Sequence, residues 1–238
     1  MFKDTVGIIG GFGAYATLNF YEMILRDFAS ESERDYPHIF FDNDFTMPSR
    51  TRALLYGEEY ETIVDMISES MKKMLSVGAD HIILVCGTAH YFLKDVYKKV
   101  PEAEERVINI VDLVARYVKE NEISDVLIVA AEGTLKKRVY ENALSDLHCV
   151  SPGTEDFGSI RTFIESVKTN RITAEVLEEW NEFLAGFGCR HVILGCTELP
   201  VLVNAYFCNE HDIHGNDREY DFIDPLSLAV KELKRIIK

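Results

Sequence analysis

The chain has 238 residues, 47% hydrophobic and 27% charged, enough for one large globular domain or two small ones. Its net charge of −15 opposes a nucleic-acid backbone, and no apolar run reaches the roughly eighteen residues of a membrane span. Five cysteines, an odd number with no Cys-x-x-Cys pair, argue against a disulfide framework or zinc ribbon.

Met1-Phe-Lys-Asp4 has no signal-peptide architecture and runs into a strand at Thr5–Ile9, so the expected compartment is the reducing cytoplasm. Gly10-Gly-Phe-Gly13 follows, then a helix over Ala14–Ala29 with Phe20, Ile24 and Leu25 as its apolar stripe. His38–Phe41 reads as a strand and Asp42–Thr51 as a polar loop containing Met47-Pro-Ser-Arg50-Thr51. Glu58–Val77 has helical periodicity in Ile63, Met66, Ile67, Met71 and Met74, and Gly78 ends it. A strand at Ile82–Val85 leads into Cys86, and a helix spans Ala89–Lys99.

The same alternation continues. Val107–Ile110 reads as a strand, Val111–Glu120 as a helix, Asp125–Val129 as a strand and Leu135–Leu144 as a helix. Cys149-Val150 fits a short strand, and helices are expected over Asp156–Thr169 and Thr173–Phe187. After a second cysteine stretch and a polar loop over Asn209–Tyr220, Asp221–Asp224 is extended and Pro225 opens a last helix to Lys238. Short unbroken apolar strands alternating with helices predict an α/β fold with parallel sheets covered on both faces.

The alternation is duplicated. His81-Ile-Ile-Leu-Val-Cys86 and His191-Val-Ile-Leu-Gly-Cys196 stand 110 positions apart, and Val6-Gly-Ile8 with Gly13 is echoed by Val126-Leu-Ile128 with Gly133 at an offset of 120. Two similar domains are expected. Residues 1–112 with 213–238 would form the first, which carries Cys86 and is closed by the C-terminal helix. Residues 113–212 would form the second, which carries Cys196.

Gly11-Phe-Gly13-Ala-Tyr-Ala16 fits the dinucleotide fingerprint Gly-x-Gly-x-x-Gly/Ala, but Asp42, the nearest strand-end acid, comes later than the ribose-binding acid of that motif. The competing reading is a tight turn whose backbone N–H groups hold a small anion. A lone apolar-strand cysteine is ordinarily a small core residue, and Cys149, Cys189 and Cys208 take that reading. Cys86 and Cys196 instead end strands at the carboxyl edge, where open parallel sheets bind ligands and where a helix start lowers a thiol pKa. Two thiols facing across a cleft suit inversion of a carbon bearing a weakly acidic hydrogen: one takes the proton, the other returns one to the opposite face. Arg50 could fork a carboxylate, although on the residues alone it and Lys168 read first as solvated surface charges. His90, one turn past Cys86, could tune it or cap a helix. Cys208, His211 and His214 could hold a metal or sit in an ordinary loop.

Taken together, Gly10–Gly13, Pro48-Ser-Arg50-Thr51, Cys86-Gly-Thr88-Ala-His90, Gly133-Thr134, Val167-Lys168, Gly195-Cys196-Thr197-Glu198 and Ile223-Asp224-Pro225 resemble the cofactor-independent aspartate/glutamate racemases. The resemblance implies two pseudo-symmetric parallel-sheet α/β domains with the active site in the cleft between them, in a homodimer, without cofactor or metal. It implies Cys86 and Cys196 as the acid/base pair, Arg50 and Lys168 on the substrate carboxylate, and Thr88, Thr134 and Thr197 on its polar groups. Gly11, Gly87 and Glu198 complete the substrate side. Gly87 stands where the family usually has Asn, Ala131-Glu132 departs from its Thr-x, Phe12 replaces Met and Ala14 replaces Pro. The expected reaction is interconversion of L- and D-aspartate or glutamate; these departures leave that chemistry in place and open the choice of substrate, an amino acid larger than aspartate included. The rival readings are a related isomerase or decarboxylase of another carboxylic acid, and a nucleotide-binding oxidoreductase.

Overall fold

A computed structural model describes residues 2–145, 147–209 and 220–238, with the backbone alone for 206–209. The first half runs β1 (Thr5–Ile9), α1 (Ala14–Asp27), β2 (His38–Asp42), α2 (Arg50–Tyr56), α3 (Tyr60–Ser76), β3 (His81–Leu84), α4 (Leu93–Lys99) and α5 (Ile110–Glu120). The second runs β4 (Asp125–Val129), α6 (Glu132–Lys136), α7 (Val139–Ala143), β5 (His148–Val150), α8 (Phe157–Lys168), α9 (Ala174–Ala185), β6 (His191–Leu194), α10 (Leu199–Asn209), β7 (Asp221–Ile223) and α11 (Pro225–Ile236). Two parallel sheets result, ordered β2-β1-β3 and β5-β4-β6-β7. The order of the first is repeated within the second, as the sequence duplication requires.

The strands are apolar throughout because both faces are covered. Ile8 and Ile83 point into the core shared with Phe20, Ile24 and Val114, while Ile9, Ile82 and Leu84 point the other way, onto Ile63, Ile67 and Met71 of α3. This is the two-residue alternation of a strand sandwiched between helices. Leu25 departs from the expected stripe: it is exposed, with Leu18 and Tyr21 on the outer face of α1.

Several expectations need correction. Val107–Ile110 makes only an isolated bridge, Ile82 to Val107, because Asn109 caps α5: its side chain accepts from the N–H groups of Val111 and Asp112. Arg50 is not in a loop but opens α2, capped by the Ser49 hydroxyl. The single helix expected over Leu135–Leu144 is broken at Arg138, which takes a left-handed conformation (φ 53°), leaving α6 and α7. The helix expected after Cys196 is α10, in which Leu199, Leu202 and Val203 are buried. Within the segment 213–238 expected to close the first domain, β7 pairs with β6 in the second sheet, and α11 packs against both α1 and α5. The Cys208, His211 and His214 grouping lies outside the described side chains. Among the described residues no group of three or more metal-ligating side chains gathers, and no helix is long and apolar enough to cross a membrane.

Candidate active site

The carboxyl ends of β1, β3 and β6 bring three loops to one cleft of about 400 Å³. Gly11, Arg50, Cys86, Thr88, Lys168, Cys196, Thr197 and Glu198 all line it. The two cysteines come from different sheets, Cys86 two residues after β3 and Cys196 two after β6. Both are free thiols. Two expected substrate contacts lie behind the wall instead. Thr134 is 1% exposed, and its hydroxyl sits 2.7 Å from that of Thr88. Gly87 packs against Tyr140 and the Gly195 carbonyl. Phe12, Phe45, Met47, Ala131 and Ile164 add an apolar lining that motif spacing could not reveal, since packing alone assembles it.

The halves are tied beside the cysteines. Thr197 donates to the Val85 carbonyl at 3.4 Å, across the cleft from its own sheet, and the Thr88–Thr134 bond crosses in the other sense.

The glycine loop serves this geometry rather than a dinucleotide. Gly11 has φ 80°, and a Cβ there would run into the Asp44 backbone. A Cβ on Gly13 would strike the Glu198 carboxylate, so the bare glycine lets a buried anion approach the first turn of α1, the end a helix dipole makes positive.

Cys196 Sγ donates to Glu198 Oε2 at 2.9 Å. Burial pushes the Cys196 thiol well above its ordinary pKa, and the Glu198 charge adds to this, with Lys168 opposing. The lowering expected from a helix start is overridden at this cysteine, because desolvation and a carboxylate in contact both penalise the thiolate. Burial lowers the Lys168 pKa, but Glu198, Glu165 and Cys196 outweigh it and hold the ammonium charged. Its Nζ lies 3.1 Å from Glu165. Arg50 donates from its Nη atoms to the carbonyls of Pro48 (2.9 Å) and Phe12 (2.7 Å) and lies over the Phe12 ring, while its buried Nε has no partner. Two of five N–H donors are thereby used, leaving donors for a carboxylate.

His90 is a structural residue. Its Nδ1 donates to the Cys86 carbonyl at 2.9 Å and its Nε2 accepts from the Ile110 N–H at 3.3 Å, so it is neutral and caps α5. Burial drops its pKa to about 4. A histidine depressed in the folded state stabilises above its unfolded pKa near 6.5 and loses that stability as pH falls toward 4. The His90→Gln variant is expected to lose about 2 kcal/mol less than wild type between pH 7 and pH 5 in denaturant titrations. Comparing the two proteins cancels other groups, including buried Asp224, whose pKa is raised to about 6 and acts in the opposite sense.

This fold is that of the two-domain Asp/Glu racemases. The chain belongs to the Asp/Glu/Hydantoin racemase family, whose model matches residues 9–233, and it is an amino-acid racemase, an isomerase. It is similar to the aspartate racemase of Picrophilus torridus (27% identity, TM-score 0.80, 98% of this chain and 94% of that one covered). The glutamate racemase of Francisella tularensis subsp. tularensis SCHU S4, solved with D-glutamate, shares the fold at 18% identity (TM-score 0.69, 98% and 80% covered). The broad specificity amino-acid racemase RacX of Bacillus subtilis (strain 168) is 21% identical over 145 residues, 58% of this chain and 60% of that protein.

Proposed function

We propose that the protein interconverts the L and D forms of an acidic amino acid, aspartate or glutamate, by a two-base thiol mechanism without pyridoxal phosphate. The observation that carries this reading is the placement of Cys86 and Cys196 in one cleft, from the two halves of a duplicated fold, with Arg50 and Lys168 beside them. A thiolate at one cysteine takes the α-proton, breaking the C–H bond. The electron pair delocalises into the carboxylate, and the thiol at the other cysteine protonates the opposite face. In the form with Cys196 protonated, Cys86 is the base.

An α-hydrogen is acidified by concentrating positive charge on the adjacent carboxylate. In a chain of net charge −15 that charge must be local, and Arg50 and Lys168 supply it. A dicarboxylate can engage both cations at once. The apolar lining from Phe12, Phe45, Met47 and Ile164 supports a second reading, a neutral amino acid with a longer side chain. A decarboxylase or a related isomerase would use the same thiols on another acid.

A panel of single enantiomers incubated in deuterated water decides. Aspartate or glutamate is expected to gain α-deuterium and lose optical activity fastest. Exchange confined to neutral amino acids would overturn the acidic-substrate reading, and no exchange with any amino acid would overturn the two-base reading.

Thiol chemistry of this kind needs a reducing compartment, which we take to be the cytoplasm. We also infer a homodimer. Leu18, Tyr21 and Leu25 line the outer face of α1, and Tyr21 meets Phe41 of edge strand β2 at 5.2 Å between ring centroids, all four partly exposed. A contiguous apolar surface of this type marks an association site. A monomeric mass in light scattering would refute it.

A further inference from the structure

Behind the cleft lies a side chain that the two-thiol reading does not use. Tyr140, on α7, is 1% exposed, and its hydroxyl has no hydrogen-bond partner. Its place is defined by two glycines next to the cysteines. A Cβ on Gly87 would lie 2.6 Å from the Tyr140 hydroxyl and 2.5 Å from the Gly195 carbonyl, and a Cβ on Gly195 would lie 2.9 Å from the Tyr140 ring. The ring is thus wedged between the residue that follows Cys86 and the residue that precedes Cys196. The hydroxyl stands where a side chain at position 87 would begin.

A buried hydroxyl without a partner costs about 1–3 kcal/mol, whereas phenylalanine would fill the same space without that penalty. An orphaned donor in such a position needs an acceptor that exists in only part of the reaction cycle. With both thiols protonated there is none. When either ionises, a strong acceptor appears.

We propose that Tyr140 is a positioning residue for the racemase: its hydroxyl is a shared donor that turns toward whichever of Cys86 and Cys196 carries the negative charge. This rests on the two-thiol reading and adds to it a single group serving both bases. Charge on Cys196 and on Cys86 bears on the hydroxyl, as does Asp224 at the start of α11. Glu198 and Lys168 act on Cys196 from the cleft side. Around α7, His90 is neutral and bonded at both ring nitrogens, Glu132 of α6 pairs with Lys136 and Arg161, Arg116 of α5 pairs with Glu232, and Asp112 of α5 is exposed. Glu141 of α7 itself accepts from Ser151.

The test is Tyr140→Phe, read two ways. The rate of alkylation of Cys86 and Cys196 by iodoacetamide, followed against pH by peptide mass spectrometry, reports each thiol pKa without any substrate. Both are expected to rise by about one unit, the loss of a hydrogen bond to an ionised group. In turnover, kcat near neutrality falls about tenfold, the acidic limb of its pH profile moves upward by the same amount, and KM stays within about twofold. Thermal stability matches or exceeds wild type, because the orphaned hydroxyl is gone. Unchanged alkylation profiles would overturn the proposal, and so would a destabilised variant, which would mean that the hydroxyl has a structural partner. If wild type exchanges no α-proton but Tyr140→Phe still shifts both thiols, the racemase reading fails and the role of Tyr140 stands.

Discussion

Serine at position 86 or 196 is expected to lower racemisation by about 10³-fold or more, whichever of the two is changed. A hydroxyl is a far weaker acid than a thiol, so serine keeps the size of the residue and loses its ability to exchange a proton near neutral pH. The two losses should be alike if, as proposed, each cysteine is base for one enantiomer and acid for the other. Circular dichroism decay from each pure enantiomer measures the overall rate. Proton NMR in deuterated water separates α-proton removal from inversion. The fold should survive both changes, since Cys86 and Cys196 lie just beyond strands whose buried residues are Ile82–Leu84 and Val192–Leu194. A single variant that kept near-native racemisation would eliminate the two-base mechanism.

Opposite displacements of the pH profile are expected when the two charges around Cys196 are removed separately. Glu198 raises the Cys196 pKa and Lys168 lowers it. Glu198→Gln therefore moves the profile to lower pH, by about a unit, and activity is lost soonest on the alkaline side, where the protonated partner disappears. Lys168→Met moves it to higher pH and costs a further ~100-fold in kcat/KM, because a substrate carboxylate is left in the cleft without its cation. Profiles of kcat/KM for wild type and both variants test the signs together. Shifts in the same direction would mean that Glu198 and Lys168 do not act through Cys196.

The sequence was a good guide to the parts that repeat. The strands ending in Cys86 and Cys196, the helices between them and eight of the cleft residues could be read from two matched apolar runs and a few motif positions. The parts that escaped are those with no period. Helix α2 begins inside a polar stretch on the strength of a single serine cap. Asn109 ends an apolar run that would otherwise extend as strand. Tyr140 had no signal at all, since its significance comes from Gly87 and Gly195, which are 53 and 55 positions away along the chain and touch it only once the two sheets are assembled. The apparent loss at Gly87 takes on another meaning in that light: space vacated at one position is filled from another.

The duplication is imperfect where it matters. The 110-residue offset sets Thr88 against Glu198, so one sulfur has a threonine pair beside it and the other a carboxylate at 2.9 Å. Mirror-image amino acids have the same free energy in water, which fixes the equilibrium ratio at unity. Microscopic reversibility then makes kcat/KM identical for the two enantiomers, whatever surrounds each sulfur. The inequality between the halves can appear only as a common factor in kcat and KM: one hand is held more tightly and turned over more slowly, the other more loosely and faster. Divergence of the twin halves could thus tune which enantiomer the enzyme retains at saturation, but never the composition of the mixture it leaves behind.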